Sequence, residues 1–402
     1  MTRTILDIHI LQTVPPSNLN RDDTGTPKSA VFGGVRRARV SSQAWKRATR
    51  RAFQDLLPPT ELGVRTKKVA AALAERIVAR DTALEPVAVQ LATQVLTAAT
   101  GSAIKDPLRK SKAASGEESP EAPESSYLMF LSSRQLDALA ELAMMEDDAE
   151  DPTPEALAKY LKDKENKARA RQAVDSQHSV DIALFGRMVA DSADLNVDAA
   201  TQVAHALSVH KSDIESDYYT AVDDRSREDE SGAGMIGTID FNSATLYRYA
   251  AVDVDRLRRN LGDGLRDNES PTTPVEKAVG AFLEAFITSL PTGKINTFGN
   301  HTLPSAVLVK VRDRWPVSFV GAFEEPVPKT SAGGYLRQSC RRLAEFVPEL
   351  ERQYGITDPE QSWVFRVGEE TSALGELGTE VSLATLVNEV SEAVGRRLGR
   401  GA

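Results

Sequence analysis

The chain has 402 residues, 41% of them apolar and 6% aromatic, with a formal net charge of −9; that is apolar mass for two or three domains with buried cores, and it excludes a disordered tail. No run reaches the ~20 apolar residues of a membrane span, and the start Met-Thr-Arg-Thr-Ile-Leu-Asp does not read as a signal peptide. The lone Cys340 excludes an internal disulfide and a cysteine-based zinc site, as expected for a protein of a reducing cytosol.

The first predicted element is a strand. Leu6, Ile8 and Ile10 alternate with Asp7, His9 and Leu11, one face apolar and the other mostly polar, which predicts a sheet covered by helices on a single side. Residues 15–34 read as a loop rich in Asn, Asp, Gly and Pro, followed by a short stretch at 35–40. Between Thr24 and Gln54 lie eight basic residues, Lys28, Arg36, Arg37, Arg39, Lys46, Arg47, Arg50 and Arg51, and no acid. Ser41 and Ser42 supply hydroxyls that accept from the open amides of a first helical turn, so a helix starts there. At 100° per residue Trp45, Ala48, Ala52, Phe53 and Leu56 share one side, and Lys46, Arg47, Arg50 and Arg51 the other. The pairs Lys46/Arg50 and Arg47/Arg51 repel at the i,i+4 spacing, at a cost of roughly 0.2–0.5 kcal/mol each unless an anion is present. A solvated face normally mixes signs, so this island points to a polyanion, and nucleic acid is the expected ligand.

Residues 65–100 are Ala-rich and helical in period, and 105–126 are low in complexity and read as an insert. Helices are expected at about 134–145 and 154–174; across 117–155 twelve acids face one base, Arg134. The run from Val180 to Met188 reads as a strand and 199–210 as a helix. Two β-prone runs, 218–222 and 235–241, flank a polar turn and predict a long hairpin. A strand at 245–254, a helix at 273–288 and a strand at 306–311 precede a helical C-terminal third. Strands near 5, 180, 245 and 306 with helices between them predict an α+β fold interrupted by a helical insertion at about 60–175.

Gly232-Ala-Gly-Met-Ile-Gly matches the dinucleotide fingerprint by letter, but it follows an acidic run instead of a strand and precedes a β-prone segment, so it reads as a hairpin turn. His205 and His210, five apart, do not share a helix face, and no metal-ligand pair is spaced for a site. His9 beside Asp7 is the one candidate for acid/base cleavage of RNA. With no nucleophile or paired-carboxylate motif, the expectation is a chain with no catalytic residue, no metal and no cofactor, an endoribonuclease being the enzyme alternative.

Four further blocks carry a family resemblance. They are Ser17-Asn-Leu-Asn-Arg-Asp-Asp with Ala30-Val-Phe-Gly-Gly-Val-Arg-Arg-Ala-Arg-Val-Ser-Ser-Gln-Ala-Trp-Lys-Arg-Ala, then Val180 to Met188, Ala204 to His210, and Tyr219-Thr-Ala-Val-Asp-Asp with Phe241 to Ala250. In this order they resemble CasC, the backbone subunit of the type I-E CRISPR Cascade complex, over about the first 255 residues. The resemblance implies a hand: an RNA-recognition-like (ferredoxin-like) palm from 1–59 and 176–402, helical fingers at 60–175 and a β-hairpin thumb at 211–238. It implies that copies stack head to tail along one CRISPR RNA, pairing target DNA through the guide, beside a large PAM-reading subunit, a small subunit and guide-end caps. The residues on matching stretches, implied to grip RNA phosphates, are Asn20, Arg21, Lys28, Ser42, Gln43, Lys46, Arg47 and Arg50. Leu195 is a candidate wedge against the RNA. The thumb, with eight acids between Asp213 and Glu230 against Arg225 and Arg227, is expected to keep stray RNA off the outer surface.

Overall fold

A computed structural model of the chain describes residues 3–102, 104–105, 123–145, 151–189, 195–221, 235–262, 270–329, 334–356 and 361–400. It is a mixed α+β protein of two compact units, one formed by Met1–Phe53, Thr201–Val254 and Glu276–Ala402, the other by Gln54–Ala200 and Asp255–Val275.

The first unit is built on one sheet. Strand β1 (Ile5–Ser17) lies near its middle, β2 (Ser29–Phe32) and β3 (Val35–Val40) form a hairpin at one edge, and Thr379–Glu380 closes the other. From that far edge the order runs Thr379–Glu380, Ser362–Arg366, Ala306–Arg312, β1, Met235–Asp253, Ala206–Ser208, β3, β2. All neighbours are antiparallel except Trp363↔Thr379, which makes the sheet mixed. The strand Met235–Asp253 is the spine: it pairs with β1 from Ile5↔Asp253 to Ser17↔Asn242, and its first half pairs with Glu215–Ala221 in the expected hairpin. The turn of that hairpin, with the glycines Gly232 to Gly234, lies outside the described residues, as does most of the 105–126 insert. Tyr219 of the paired strand lies over Gly237, where a Cβ would come 2.4 Å from its Cζ and would push the ring aside.

Three local expectations change. The polar face of β1 is not open: Asp7 and His9 are 0% and 2% exposed, beneath a second layer that includes Phe319, Phe323, Cys340 and Leu343. Asp7 tolerates this because its carboxylate accepts from Arg312 Nε at 2.7 Å, Tyr249 Oη at 2.8 Å and the Val317 amide at 3.0 Å. Val180–Phe185 is a helix: Asp181 Oδ1 accepts from the Ile182 amide at 3.2 Å and from Ser179 Oγ at 2.6 Å, and Gly186 at φ +79° ends it. Residues 199–210 are two short strands, Thr201–Val203 and Ala206–Ser208, because the long spine offers them backbone partners that outweigh local helix propensity.

The second unit is helical. Val69–Arg80, Ala88–Thr100, Ser133–Met144 and Lys164–Asp175 bury Leu73, Ile77, Leu91, Val95, Leu139 and Val174 in one core. Ser133–Met144 opens with a reciprocal box, the Ser132 hydroxyl accepting from the Gln135 amide at 3.0 Å and the Gln135 side chain accepting from the Ser132 amide at 3.0 Å. Among the described residues no helix is long and apolar enough to cross a membrane.

Burial holds His9, His178 and His210 below the ordinary histidine range, His178 to about 4 with Arg187 adding to the effect. A depressed histidine favours folding while it is neutral; the unfolded chain binds the proton first, below about 6.5, so stability falls as pH drops toward 4. For His178 alone the loss is at most about 3 kcal/mol. The urea midpoint should therefore fall between pH 7 and 5, and His178→Gln should remove part of that slope; a midpoint independent of pH would contradict this.

Candidate nucleic-acid interface

The loop 18–28 packs against β3 and the start of helix α1 (Ser42–Leu56). The Lys28 amide donates to the Asn20 carbonyl at 2.8 Å, and the Arg39 amide of β3 donates to the Lys28 carbonyl at 2.9 Å. Asp22 folds the loop tip, its Oδ1 accepting from the Thr24 amide at 3.0 Å, the Thr24 hydroxyl at 2.7 Å and the Thr26 amide at 3.1 Å; the Thr24 hydroxyl holds its carboxyl below the usual range. Asn18 Nδ2 donates to the carbonyls of Gly25 and Asp240, both at 2.9 Å, tying the loop to the spine.

The start of α1 is capped from this loop. Ser41 Oγ accepts from the Ala44 amide at 3.3 Å, while the Ser41 amide donates to Asn20 Oδ1 at 2.9 Å. Asn20 thus fixes the helix start and keeps its amide donors directed elsewhere. Along α1 the buried line is Trp45, Thr49 and Phe53, at i, i+4 and i+8. Ala48, Ala52 and Leu56, expected with them, are half-buried beside that line. Gln43, Lys46, Arg47 and Arg50 stand at i, i+3, i+4 and i+7, one stripe on another face, with Ser42 at its head.

The helix is seated on a buried cation. Arg248 of the spine lies with its guanidinium 3.7 Å from the Trp45 ring centre and 4.6 Å from that of Phe286. Its Nη1 donates to Gln12 Oε1 at 2.7 Å and its Nη2 to the Phe286 carbonyl; burial lowers it to about 9.

Among the described residues Arg21, Lys28, Lys46 and Arg47 form no ion pair with a carboxylate, whereas cations elsewhere are matched, Arg76 with Asp137, Arg80 with Glu141, Lys310 and Arg312 with Glu351. Lys46 is half-buried and burial lowers its pKa, so an anion beside it would recover lost solvation. Not all eight basic residues of the sequence island belong to this surface. Arg37 is buried, its guanidinium donating to the carbonyls of Phe32, Ser208, Phe323 and Glu324 at 2.9–3.1 Å. Arg39 bonds the Ser29 carbonyl at 3.2 Å and meets His205 at 3.3 Å.

Sequence reading passed over one further cation. The turn Pro291-Thr-Gly-Lys294 packs on the same loop, where a Cβ on Gly293 would lie 2.3 Å from the Leu19 carbonyl oxygen and 2.5 Å from that of Asn18. Lys294, exposed and left-handed at φ +50°, stands next to Gly293 and forms no ion pair among the described residues. The Pro-x-Gly-Lys turn between the helix at 273–288 and the strand at 306–312 was its only trace in the sequence. Gly293→Ala should displace the 18–20 loop and lower nucleic-acid affinity by about tenfold while leaving the far-UV spectrum unchanged; unchanged affinity would contradict the coupling.

His9 is not part of this surface, and Leu195 belongs to the helical unit. His9 is buried, its Nδ1 2.9 Å from the Tyr247 hydroxyl and its ring stacked 4.1 Å from that of Phe319. Leu195 is 8% exposed in the core of the helical unit, so a wedge role would require it to leave that core. Among the described residues no group of His, Cys, Asp and Glu is placed to hold a metal ion.

Among solved structures the chain is similar to one described as "CRISPR RNA-guided surveillance complex, pre-nicking", at 34% identity over 97% of this chain and 100% of that chain, with a TM-score of 0.78. A second, described as "CRISPR RNA-guided surveillance complex", matches at 31% identity over 97% and 99% of the two chains, with a TM-score of 0.67. No curated protein matches the sequence. The family model of the CT1975-like protein matches residues 6–389, through both compact units and the whole candidate interface. The chain belongs to the CT1975-like protein family.

Proposed function

We propose that this chain is the non-catalytic backbone subunit, of the CasC kind, of a type I-E CRISPR RNA-guided surveillance complex. Copies stack head to tail along one guide RNA and leave its bases free to pair with target DNA. The observation that carries this reading is the stripe of α1 together with the 18–28 loop, where Arg21, Lys28, Lys46 and Arg47 form no ion pair with a carboxylate among the described residues. Phosphate contacts of this kind are independent of sequence, which suits a protein that must accept any guide. Asn20, Arg21, Lys28, Ser42, Gln43, Lys46, Arg47 and Arg50 grip the backbone, and Lys294 joins them. The sheet of the first unit is the RNA-recognition-like palm, the helical unit the fingers, and the hairpin of Glu215–Ala221 with Met235–Phe241 the thumb. The similarity to chains of RNA-guided surveillance complexes supports a place in CRISPR defence, and the burial of His9 favours the scaffold over a repeat-processing nuclease.

The test is reconstitution on guides of different length. Copy number counted by native mass spectrometry should rise with guide length, and a fixed stoichiometry would contradict the reading. Deleting 223–234 should weaken stacking between copies more than the RNA contact of one copy; full-length assemblies formed by the deletion variant would show that the hairpin is not the thumb.

A further inference from the structure

Trp315 and Tyr354, 47% and 68% exposed, line one open cleft with Arg312, Asp313, Arg314, Gly355 and Ile356. Large aromatics on a surface cost solvation unless something covers them. Their spacing is fixed from below. Three residues before Trp315, Arg312 donates to Asp7 at 2.7 Å and to Glu351 at 2.9 Å; three residues before Tyr354, Glu351 also accepts from Lys310 at 3.0 Å. The helix Tyr335–Gln353 then stops in a tight cap, the Ile356 amide donating to the Glu351 carbonyl at 2.9 Å and Gly355 at φ +63°, so Tyr354 is held rigidly. The two arms are preorganised on a buried ionic network.

The charge of the cleft is informative. Arg312 is neutralised by Asp7 and Glu351, Asp313 adds an acid, and Arg314, its guanidinium 5.8 Å from the Trp315 ring centre, forms no ion pair among the described residues. One spare cation between two aromatics does not suit a polyanion. It suits a short peptide with an apolar ring for the slot and a carboxylate beside it, and proline presents such a ring at low entropic cost. The cleft also lies at the Ile5/Asp253 end of the β1 pairing, whereas the loop after Ser17 is at the other end, roughly 40 Å away along a thirteen-residue strand. The guide-binding surface does not extend to it.

This chain carries a matching peptide. Residues 116–123 read Gly-Glu-Glu-Ser-Pro-Glu-Ala-Pro, with prolines at 120 and 123 and acids between and before them. The paired strands Ile104–Lys105 and Glu124–Ser125 bring the two ends of the intervening stretch together. Eighteen residues of sequence, 106–123, separate those two strands. We propose that the Trp315/Tyr354 cleft docks this proline-bearing acidic segment of a second copy, with a proline between the rings and a glutamate on Arg314. The proposal rests on the multi-copy reading only for the source of the segment, and its test does not involve RNA.

The probe is a synthetic peptide of residues 115–126 titrated into the full chain while tryptophan emission is followed. Trp45 and Trp363 are 1% and 7% exposed, so Trp315 is the reporter. A saturable change is expected, abolished by Trp315→Ala, weakened about tenfold by Arg314→Gln and equally by replacing both peptide prolines with alanine. Trp315→Ala should leave guide-RNA affinity unchanged, which separates failure here from failure of the backbone reading. The proposal is overturned by no emission change at millimolar peptide, by binding that survives Trp315→Ala or the proline replacements, or by single-stranded RNA quenching Trp315 where the peptide does not.

Discussion

Replacing Lys46, Arg47 and Arg50 together by Gln is expected to flatten the dependence of log K on log salt by about 2, because each neutralised phosphate of a single strand contributes about 0.7. At about 0.1 M salt the same three contacts amount to roughly a hundredfold in affinity. The substitutions leave the packed line Trp45, Thr49 and Phe53, and the Arg248 stack beneath it, untouched, so the helix keeps its seat. Unrelated guide sequences should lose affinity by similar factors if, as proposed, these side chains meet phosphates and not bases. A variant whose affinity and salt slope match the parent would show that the stripe is only solvated.

Asp7→Ala is expected to cost about 3 kcal/mol of stability, the low end of the range for breaking a buried pair, because Arg312 keeps Glu351 at 2.9 Å. The loss arises from what is stranded: the Tyr249 hydroxyl and the Val317 amide lose their acceptor, and Arg312, whose side chain is 4% exposed, loses one of two carboxylates. Replacing Asp7 and Arg312 together with Leu and Met should cost less than the sum of the single changes, since no charge is then left unpaired. Urea denaturation followed by tryptophan emission measures it; a loss under 1 kcal/mol for Asp7→Ala would mean that water reaches the network.

Much of the candidate interface was legible because its signals are local. Ser41 followed by an amphipathic run placed the start of α1, and the absence of acids from 24 to 54 marked a stretch of cations with no local carboxylate. What was not legible depends on distant chain. The polar face of β1 looks solvent-facing by its alternation, and only residues 312–353, hundreds of positions later, cover it and supply partners for Asp7. Arg37 and Arg47 are alike in sequence, yet Arg37 closes on carbonyls from residues 208, 323 and 324 that no local pattern reveals. The segment 199–210 has helical composition and becomes strand because the spine offers a ladder. Lys294 reaches the interface through a glycine contact that exists only once the loop after Ser17 has folded.

The central claim, that this chain holds guide RNA by its phosphates, is tested most directly by what purifies with it. Co-expressed with a CRISPR array, the parent chain should carry nucleic acid, with a high 260 to 280 nm absorbance ratio and extracted RNA of guide length. The Lys46, Arg47 and Arg50 triple Gln variant should purify with a ratio close to that of free protein. A parent chain that purifies free of RNA, or a variant that retains as much RNA as the parent, would contradict the account.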